Sequence, residues 1–258
     1  MGEAGSGAGT LDRAVLILRH LATMHEASIA ELAEAADTTR STAYRLVARL
    51  HTWGLVQPHE TEPGHWIVGT EALRLGLSVL QRSRVAHAAP EPLRYMVELT
   101  GETCGLAIAS GTSMIFVHRE PGPRPSPASF RVGGVRPMHC SSVGKAYLAA
   151  LPEQDLARLL PRLRLTQETP ASLVGRAHLE RDLALTRRRG WSIDAGETTT
   201  ATGACGAAVL DEAGRPVAAI SASGPLPRIR RRADELGPVV AATAAVISRR
   251  LGFQTSHP

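Results

Sequence analysis

The segment from Leu11 to Val68 carries the feature that most limits how this chain folds, which is three successive helices followed by a tight hairpin. Ser28-Ile29-Ala30-Glu31 is a capping box and predicts the start of the second helix. Asp37-Thr38-Thr39 breaks that helix and begins the third. Glu62-Pro63-Gly64 then predicts a turn between two short strands. This order is the outline of a winged helix-turn-helix, and it indicates duplex DNA as a ligand.

The third helix has an apolar side and a polar side. Arginine can grip guanine with two hydrogen bonds, serine and threonine can bond bases or phosphates, and a helix start favours phosphate. We expect Arg49, a turn farther on, to meet phosphate or solvent, and the alternative for every position is a solvated helix face. The residues that we expect to contact DNA are Thr39, Arg40, Ser41, Thr42, Tyr44, Arg45 and Arg49.

The charge of the chain is distributed unevenly. The net charge is +5, yet residues 1–70 hold five arginines and eight acidic residues, so this part is net acidic. Residues 38–59 contain three arginines and no acidic residue, which makes the positive field local to the third helix. The hairpin contains no lysine or arginine, so His59 and His65 are its only candidates for contact with DNA.

Composition narrows the class of protein. The three cysteines are widely spaced and form no CxxC pair, so we expect neither a disulfide framework nor a structural zinc site, and no cofactor. Residues 1–9 lack the features of a signal peptide, and no apolar run reaches membrane-spanning length. These observations predict a cytoplasmic protein that does not contact the membrane.

Changes in composition predict five segments. We expect a disordered tail, a winged helix-turn-helix domain, a linker helix able to pack against its copy in a second subunit, an α+β domain and a C-terminal tail. Strands and helices mix in the fourth segment without a repeating βαβ order. The expected boundaries are 1–9, 10–70, 71–86, 87–252 and 253–258.

Residues 133–150 are the most informative part of the α+β segment. A glycine-rich approach ends at Ser141, which can cap a helix that starts at Ser142. The first backbone N–H groups of a helix have no partner within the helix, and they carry a partial positive charge. This helix start therefore predicts a seat for a carboxylate or another anion.

Several motifs, in this order and spacing, resemble the IclR family of bacterial transcriptional regulators from about residue 10 to residue 252. They are Thr10-Leu11-Asp12-Arg13-Ala14, Arg40-Ser41-Thr42 with Arg45-Leu46, Arg136-Pro137-Met138-His139-Cys140-Ser141, Gly144-Lys145-Ala146, Gly190-Trp191-Ser192-Ile193-Asp194, Cys205-Gly206-Ala207-Ala208-Val209 and Ala219-Ile220-Ser221-Ala222-Ser223-Gly224-Pro225.

The resemblance implies an N-terminal winged helix-turn-helix, a linker helix and a GAF-like α+β effector-binding domain, in a homodimer or homotetramer. Together with the helix start, it suggests the effector-binding residues Ser141, Ser142, Val143, Gly144, Asp194, Cys205, Ser221 and Ser223. The chain departs from the family pattern after Asp194, where residues 195–204 are rich in threonine and carry one acid, Glu197. That departure makes Glu197 and the threonines further contributors to the site.

Enzyme alternatives rest on short matches. Ser142-Val143-Gly144-Lys145 fits the SxxK pattern of serine acyl-enzymes, but the chain has no second lysine for a KTG element and no SDN triplet. Gly144-Lys145 fails the phosphate-loop pattern because Ala146 follows it. His139 and Cys140 would point to opposite faces of a strand. A ligand-binding protein without DNA affinity is the remaining alternative.

The sequence thus predicts a ligand-responsive transcriptional regulator, expected to be a repressor, with no catalytic residues. We expect it to bind a near-palindromic double-stranded DNA operator and to respond to a small anionic metabolite, such as a carboxylate or aromatic acid. Effector binding would shift the placement of the two DNA modules through the helix at 71–84.

Overall fold

The computed structural model describes residues 9–124 and 130–254. The tails expected at 1–9 and 253–258 lie largely outside these residues. The chain divides into two compact units, Met1–Arg82 and Ser83–Pro258. Each unit has a hydrophobic core of its own.

The first unit is a winged helix-turn-helix. Its elements in chain order are α1 (Thr10–Met24), β1 (Glu26–Ser28), α2 (Ile29–Ala35), α3 (Arg40–Thr52), β2 (Val56–Pro58), β3 (His65–Val68) and α4 (Thr70–Gln81). The three strands form an antiparallel sheet in the order β1-β3-β2. The hairpin expected from the turn at 62–64 is therefore present, and β1 adds a strand that the sequence analysis did not predict.

Local signals explain why these helices begin where they do. The Ser28 hydroxyl accepts a hydrogen bond from the backbone N–H of Glu31, and the Glu31 carboxylate accepts one from the backbone N–H of Ser28. This is the predicted capping box. Behind it, Leu32 packs with Leu21 of α1 and Val47 of α3 in the core of the unit.

The linker helix differs from its expected extent of 71–86. The helix α4 ends at Gln81, and a new helix, α5, begins at Arg84 after Ser83. Ser83 acts as the N-cap of α5, because its hydroxyl accepts a hydrogen bond from the backbone N–H of Ala86. A capping serine in the middle of the apolar pattern therefore divides the segment into two helices.

The second unit is an α+β domain built on one six-stranded antiparallel sheet in the order β6-β5-β4-β9-β8-β7. Its helices are α5 (Arg84–Ala88), α6 (Pro90–Thr100), α7 (Ser142–Ala150), α8 (Glu153–Leu159), α9 (Arg176–Arg189) and α10 (Leu226–Arg250), with a short 3-10 turn at Leu160–Arg162. Its strands are β4 (Thr103–Ser110), β5 (Ser113–Glu120), β6 (Val135–Pro137), β7 (Ser192–Asp194), β8 (Thr202–Leu210) and β9 (Pro216–Pro225).

Helices cover both faces of this sheet. The helices α6 and α10 bury Met96 and Val240 against one face, together with alternate residues of β8 and β9 such as Cys205 and Ile220. The helices α7, α8 and α9 cover the other face, where Val143 and Leu183 pack. Because successive strand residues point to opposite faces, this division decides which side chains can share a site.

The structure extends the C-terminal helix beyond the sequence prediction. The apolar pattern of the sequence predicts a last helix from Val239 to Leu251, whereas α10 begins at Leu226 and runs through Pro238 to Arg250. Gly237 allows close packing here, because a Cβ at this position would lie 2.2 Å from ring atoms of Trp191. The helix thus passes the indole of Trp191 at a position where only glycine fits.

Among the described residues, no helix combines the length and the apolar character needed to cross a membrane. Within the same residues, no group of three or more His, Cys, Asp or Glu side chains is placed to hold a metal ion.

We predict that Gly237→Ala lowers the free energy of unfolding of the second unit by about 1–3 kcal/mol, because the added methyl group overpacks against Trp191. Gly76→Ala in α4 is the control, since a Cβ there meets nothing within 4 Å; it should be neutral or stabilise by up to about 1 kcal/mol. Urea titration followed by tryptophan fluorescence measures both. A Gly237 variant as stable as the parent would contradict this packing argument.

Candidate DNA interface and ligand cavity

The turn between α2 and α3 sets the direction of α3. Asp37 takes a left-handed backbone conformation with φ of 45°, which aspartate tolerates better than most residues. Thr39 then caps α3, because its hydroxyl accepts a hydrogen bond from the backbone N–H of Thr42. The threonine that the sequence analysis placed at DNA is thus also the residue that starts the helix.

The structure brings the seven predicted DNA-contact residues to one side of α3. Ala43, Leu46, Val47 and Leu50 are buried on the opposite side. Thr42 is half-buried and accepts a hydrogen bond from the Arg45 guanidinium at 3.3 Å. The side chains that are exposed to solvent are Thr39, Arg40, Ser41, Tyr44, Arg45 and Arg49.

Hydrogen bonds hold the turn of the hairpin formed by β2 and β3, which is the wing of this unit. His59 Nδ1 accepts from the backbone N–H groups of Thr61 and Glu62, and its Nε2 lies 3.0 Å from a carboxylate oxygen of Glu26. His65 is half-buried at the start of β3. Of the two histidines considered for DNA contact, His59 therefore shapes the turn and His65 belongs to the sheet.

A second candidate site lies in the α+β unit, on the sheet face covered by α7. It is a cavity between the start of α7, the strands β8 and β9, and residues 195–201, which we call the lip. The lining residues are Phe116, Phe130, Arg136, Ser141, Ser142, Val143, Asp194, Thr198, Thr202, Gly203, Ala204, Ser221 and Ser223.

The start of α7 is fixed by capping and by a close backbone approach. The Ser141 hydroxyl accepts a hydrogen bond from the backbone N–H of Gly144 at 3.2 Å and donates one to the carbonyl of Pro137 at 2.6 Å. A Cβ at Gly144 would lie 2.3 Å from the Cα of Met138, so only glycine allows this contact. Ser142 and Val143, at the positive end of the helix, consequently line the cavity.

Asp194 shapes the lip. One of its carboxylate oxygens accepts hydrogen bonds from the backbone N–H groups of Gly196 (3.0 Å), Glu197 (2.7 Å) and Thr198 (3.3 Å). The other accepts a hydrogen bond from the Thr198 hydroxyl. Burial raises the pKa of Asp194 above its ordinary value, although the hydrogen bonds from Thr198 and Glu197 oppose that shift.

A buried ion-pair cluster stands behind the lip. The Lys145 ammonium is fully buried and donates to both carboxylate oxygens of Glu197, at 2.6 and 2.8 Å. It also lies 3.3 Å from a carboxylate oxygen of Asp182. Burial raises the pKa of Glu197 to about 7, because the loss of hydration outweighs the attraction of Lys145.

This cluster bears on the serine acyl-enzyme alternative. That chemistry needs the lysine of the SxxK pattern as a neutral amine that accepts a proton from serine. Lys145 instead donates to the Glu197 carboxylate and faces that of Asp182. The geometry is that of an ion pair.

Two of the eight predicted effector-binding residues do not line the cavity. Cys205 faces α10 on the other side of the sheet, where its sulfur lies 3.9 Å from the carbonyl oxygen of Ala233. Its neighbour Ala204 takes the place facing the cavity, because adjacent strand residues alternate between faces. Gly144 contributes by close packing against Met138, not by lining. The residues that do line the cavity are Ser141, Ser142, Val143, Asp194, Ser221 and Ser223.

Sequence reasoning missed other lining residues. Phe116 and Phe130 stack with their ring centroids 3.9 Å apart and form one wall. The chain has only three phenylalanines, and two of them meet at this cavity, so their scarcity in the sequence could have indicated a site. Arg136, the first residue of the motif that ends at Ser141, also lines the cavity. Thr198 and Thr202 line it as well, and the sequence had suggested threonines of this region.

The cavity is small as the structure shows it. Its free volume is about 30 Å³, which is room for one or two water molecules. An organic ligand would have to displace part of the wall. The residues that it would meet offer hydroxyl groups, helix N–H groups, one guanidinium and two aromatic rings.

A winged helix-turn-helix and a separate domain with a polar cavity define a DNA-binding regulator that responds to a ligand. The sequence model of the IclR helix-turn-helix domain matches residues 10–60, and that of the bacterial transcriptional regulator IclR C-terminal domain matches residues 77–249. The chain therefore belongs to the IclR family of bacterial transcriptional regulators.

Curated relatives agree with this assignment. The chain is 35% identical to the transcriptional repressor IclR of Escherichia coli over 247 residues, which cover 94% of this chain and 90% of that protein. It is equally similar to the acetate operon repressor of Salmonella typhimurium, with the same coverage. The protein is a ligand-responsive, DNA-binding transcriptional repressor of this family.

Solved structures share the fold. The IclR protein of Thermotoga maritima superposes with a TM-score of 0.73 at 28% identity, covering 95% of this chain and 99% of that one. An IclR homologue from Microbacterium hydrocarbonoxydans, complexed with 4-hydroxybenzoate, gives a TM-score of 0.77 at 22% identity, with 94% and 99% covered. The second similarity concerns the fold alone.

We predict that Glu197 makes the protein less stable as pH rises from about 4.5 to 7. In this window the folded state, with a Glu197 pKa of about 7, binds more protons than the unfolded state, whose glutamate keeps an ordinary pKa of 4.5. The free energy of unfolding therefore falls with rising pH. Urea titrations at pH 5, 6 and 7 should show a shallower fall for Glu197→Gln.

Glu180→Gln, at an exposed glutamate paired with Arg176 on α9, is the matched control and should keep the parent's pH dependence. If Glu197→Gln and the parent had the same pH dependence, the assigned pKa of Glu197 would be wrong.

Proposed function

We propose that the polar side of α3 contacts the major groove of operator DNA. The observation that carries this proposal is the exposure of six polar or basic side chains on one side of a capped helix, in a segment without acidic residues. Arg40 and Arg45, in the first two turns, would reach base edges, while Thr39, Ser41, Thr42 and Tyr44 would bond phosphate or bases. Arg49 would lie at a phosphate.

The protein would act as a homodimer or homotetramer. The helix α4 has no buried residue, and Leu73, Leu75, Leu77 and Val79 are all largely exposed. An amphipathic helix with an exposed apolar stripe is expected to pack against a partner. Two copies would place two α3 helices on half-sites about one helical turn of DNA apart, or a multiple of that distance.

The ligand would be a small organic anion held in the cavity beside α7. Its negative group would bond the N–H groups at the start of α7, where Ser142 and Val143 lie, and an apolar or aromatic part would contact Phe116 and Phe130. The 4-hydroxybenzoate complex of the Microbacterium homologue supports this class of ligand. Entry requires the lip or the phenylalanine pair to move, because the free volume admits only water.

Ligand and DNA binding would be linked. If the ligand binds the DNA-free form more tightly, operator DNA must weaken ligand binding by the same factor. The site of action would be the cytoplasm, where bacterial operators are. No catalytic step is needed for this function.

We predict that Arg45→Ala weakens operator binding and reduces the salt dependence of the affinity by about one unit of slope, because one phosphate-neutralising or base-contacting cation is lost. Arg158→Ala, at an exposed arginine on α8, is the control and should change neither quantity. Gel-shift titrations across a range of salt concentrations measure both. An unchanged affinity for Arg45→Ala would exclude this residue from the interface.

We further predict that Leu77→Asp converts the oligomer to a smaller species, because it places a charge in the apolar stripe of α4. Ser78→Asp, on the polar side of the same helix, adds the same charge and should leave the mass unchanged. Sedimentation or light scattering at micromolar concentration distinguishes the two. Equal masses for both variants would show that α4 is not the interface.

A further inference from the structure

The charges behind the cavity do not balance. One ammonium, that of Lys145, faces the carboxylates of Asp182 and Glu197 and interacts electrostatically with Asp194. Asp194 also lines the cavity. With every group ionised, the cluster would hold two uncompensated negative charges next to a site for an anion. Such a surplus is costly where water is excluded.

Other groups near the cluster do not remove this surplus. The Cys140 thiol has its pKa raised to about 12 by burial and by the nearby carboxylates, so it stays neutral. Glu168 lies near Cys140 and adds a further negative charge. The Arg230 guanidinium donates to the carbonyl oxygen of Ala195 from the exposed start of α10. Arg136 lines the cavity itself.

The anion seat is close to the cluster. Lys145 follows Ser142 by three residues in α7, and three residues of helix rise by about 4.5 Å. Asp194 lines the cavity and interacts electrostatically with Glu197, so a ligand carboxylate at the start of α7 would lie near Asp194 and within Coulombic range of Glu197. The Arg136 guanidinium that lines the cavity can pair with the ligand carboxylate, so the negative surplus of the cluster itself remains for a proton to offset.

We propose that Glu197 takes up one proton when an anion occupies the cavity, so that the site binds an anion together with a proton. This inference rests on the proposed function of the cavity. In this role Glu197 acts through the charge of the cluster, and it favours a ligand that carries a negative charge. The net charge of the cluster with its ligand then equals that of the ionised cluster without ligand.

The hydrogen bonds identify Glu197, not Asp194, as the group that accepts the proton. Asp194 accepts from three backbone N–H groups and a hydroxyl, all of which favour the ionised form. The principal donor to Glu197 is Lys145, and that ammonium retains Asp182 as a partner. The pKa of Glu197, about 7 without ligand, means that a small further rise protonates it at neutral pH.

The proton linkage has a definite sign. An added negative charge raises the pKa of Glu197 in the bound state. Between the free and the bound pKa, affinity for the anion falls as pH rises, by up to about tenfold per pH unit. A neutral ligand of the same shape leaves the Glu197 pKa nearly unchanged, so its affinity does not follow pH in this way.

The test is isothermal calorimetry on the full-length protein with benzoate and acetate as probes and benzamide as the neutral counterpart. Titrations at pH 6.0, 7.5 and 8.5, in buffers of different ionisation enthalpy, give the number of protons taken up. For the carboxylates we expect uptake of about half a proton, largest near pH 7.5, and an affinity several-fold lower at pH 8.5 than at pH 6.0. For benzamide we expect neither effect.

Glu197→Gln should abolish both the uptake and the pH dependence, and Glu180→Gln should preserve them. The uptake by the parent protein requires no variant, so the inference remains open to refutation even if Glu197→Gln folds poorly. Carboxylates that bind without proton uptake would overturn the linkage and leave the proposed anion site standing. If neither carboxylate bound at pH 6.0 and tens of millimolar, the proposed anion site and the linkage would both fail.

Discussion

The buried ion pair between Lys145 and Glu197 is the interaction on which the arrangement of the ligand-binding unit depends. It ties α7, whose start forms one wall of the cavity, to the lip that forms another, and Asp182 extends it to α9. A buried charge that loses its partner is far more costly than an exposed one. The geometry of the cavity and the protonation of its surroundings therefore depend on the same few atoms.

The DNA-binding unit depends on a more local balance. Its core, its caps and its turn conformation orient α3, but the unit as a whole is net acidic. Nonspecific attraction to the phosphate backbone should consequently be modest for one copy. Affinity for DNA then depends on a few exposed side chains of α3 in each of two copies. The exposed apolar side of α4, which would join the copies, therefore matters for DNA binding as well as for assembly.

The sequence predicted the parts of the structure that local signals determine. The capping box at Ser28 and the cap at Ser141 involve neighbours three residues apart, so both could be inferred. The side of the sheet to which Cys205 points could not be inferred, because alternation along a strand assigns sides only once the position of one residue is known. The Lys145–Glu197 pair joins residues 52 positions apart. The start of α10 was hidden by Pro238, which usually ends a helix but here lies inside one.

The small volume of the cavity has a kinetic consequence. A ligand of the proposed class could enter so small a site only after the walls part, so its association would be slower than diffusion. Association would then saturate at the opening rate of the lip and the phenylalanine pair as ligand becomes abundant. The time needed for derepression would in that regime reflect the mobility of the protein and not the concentration of the metabolite.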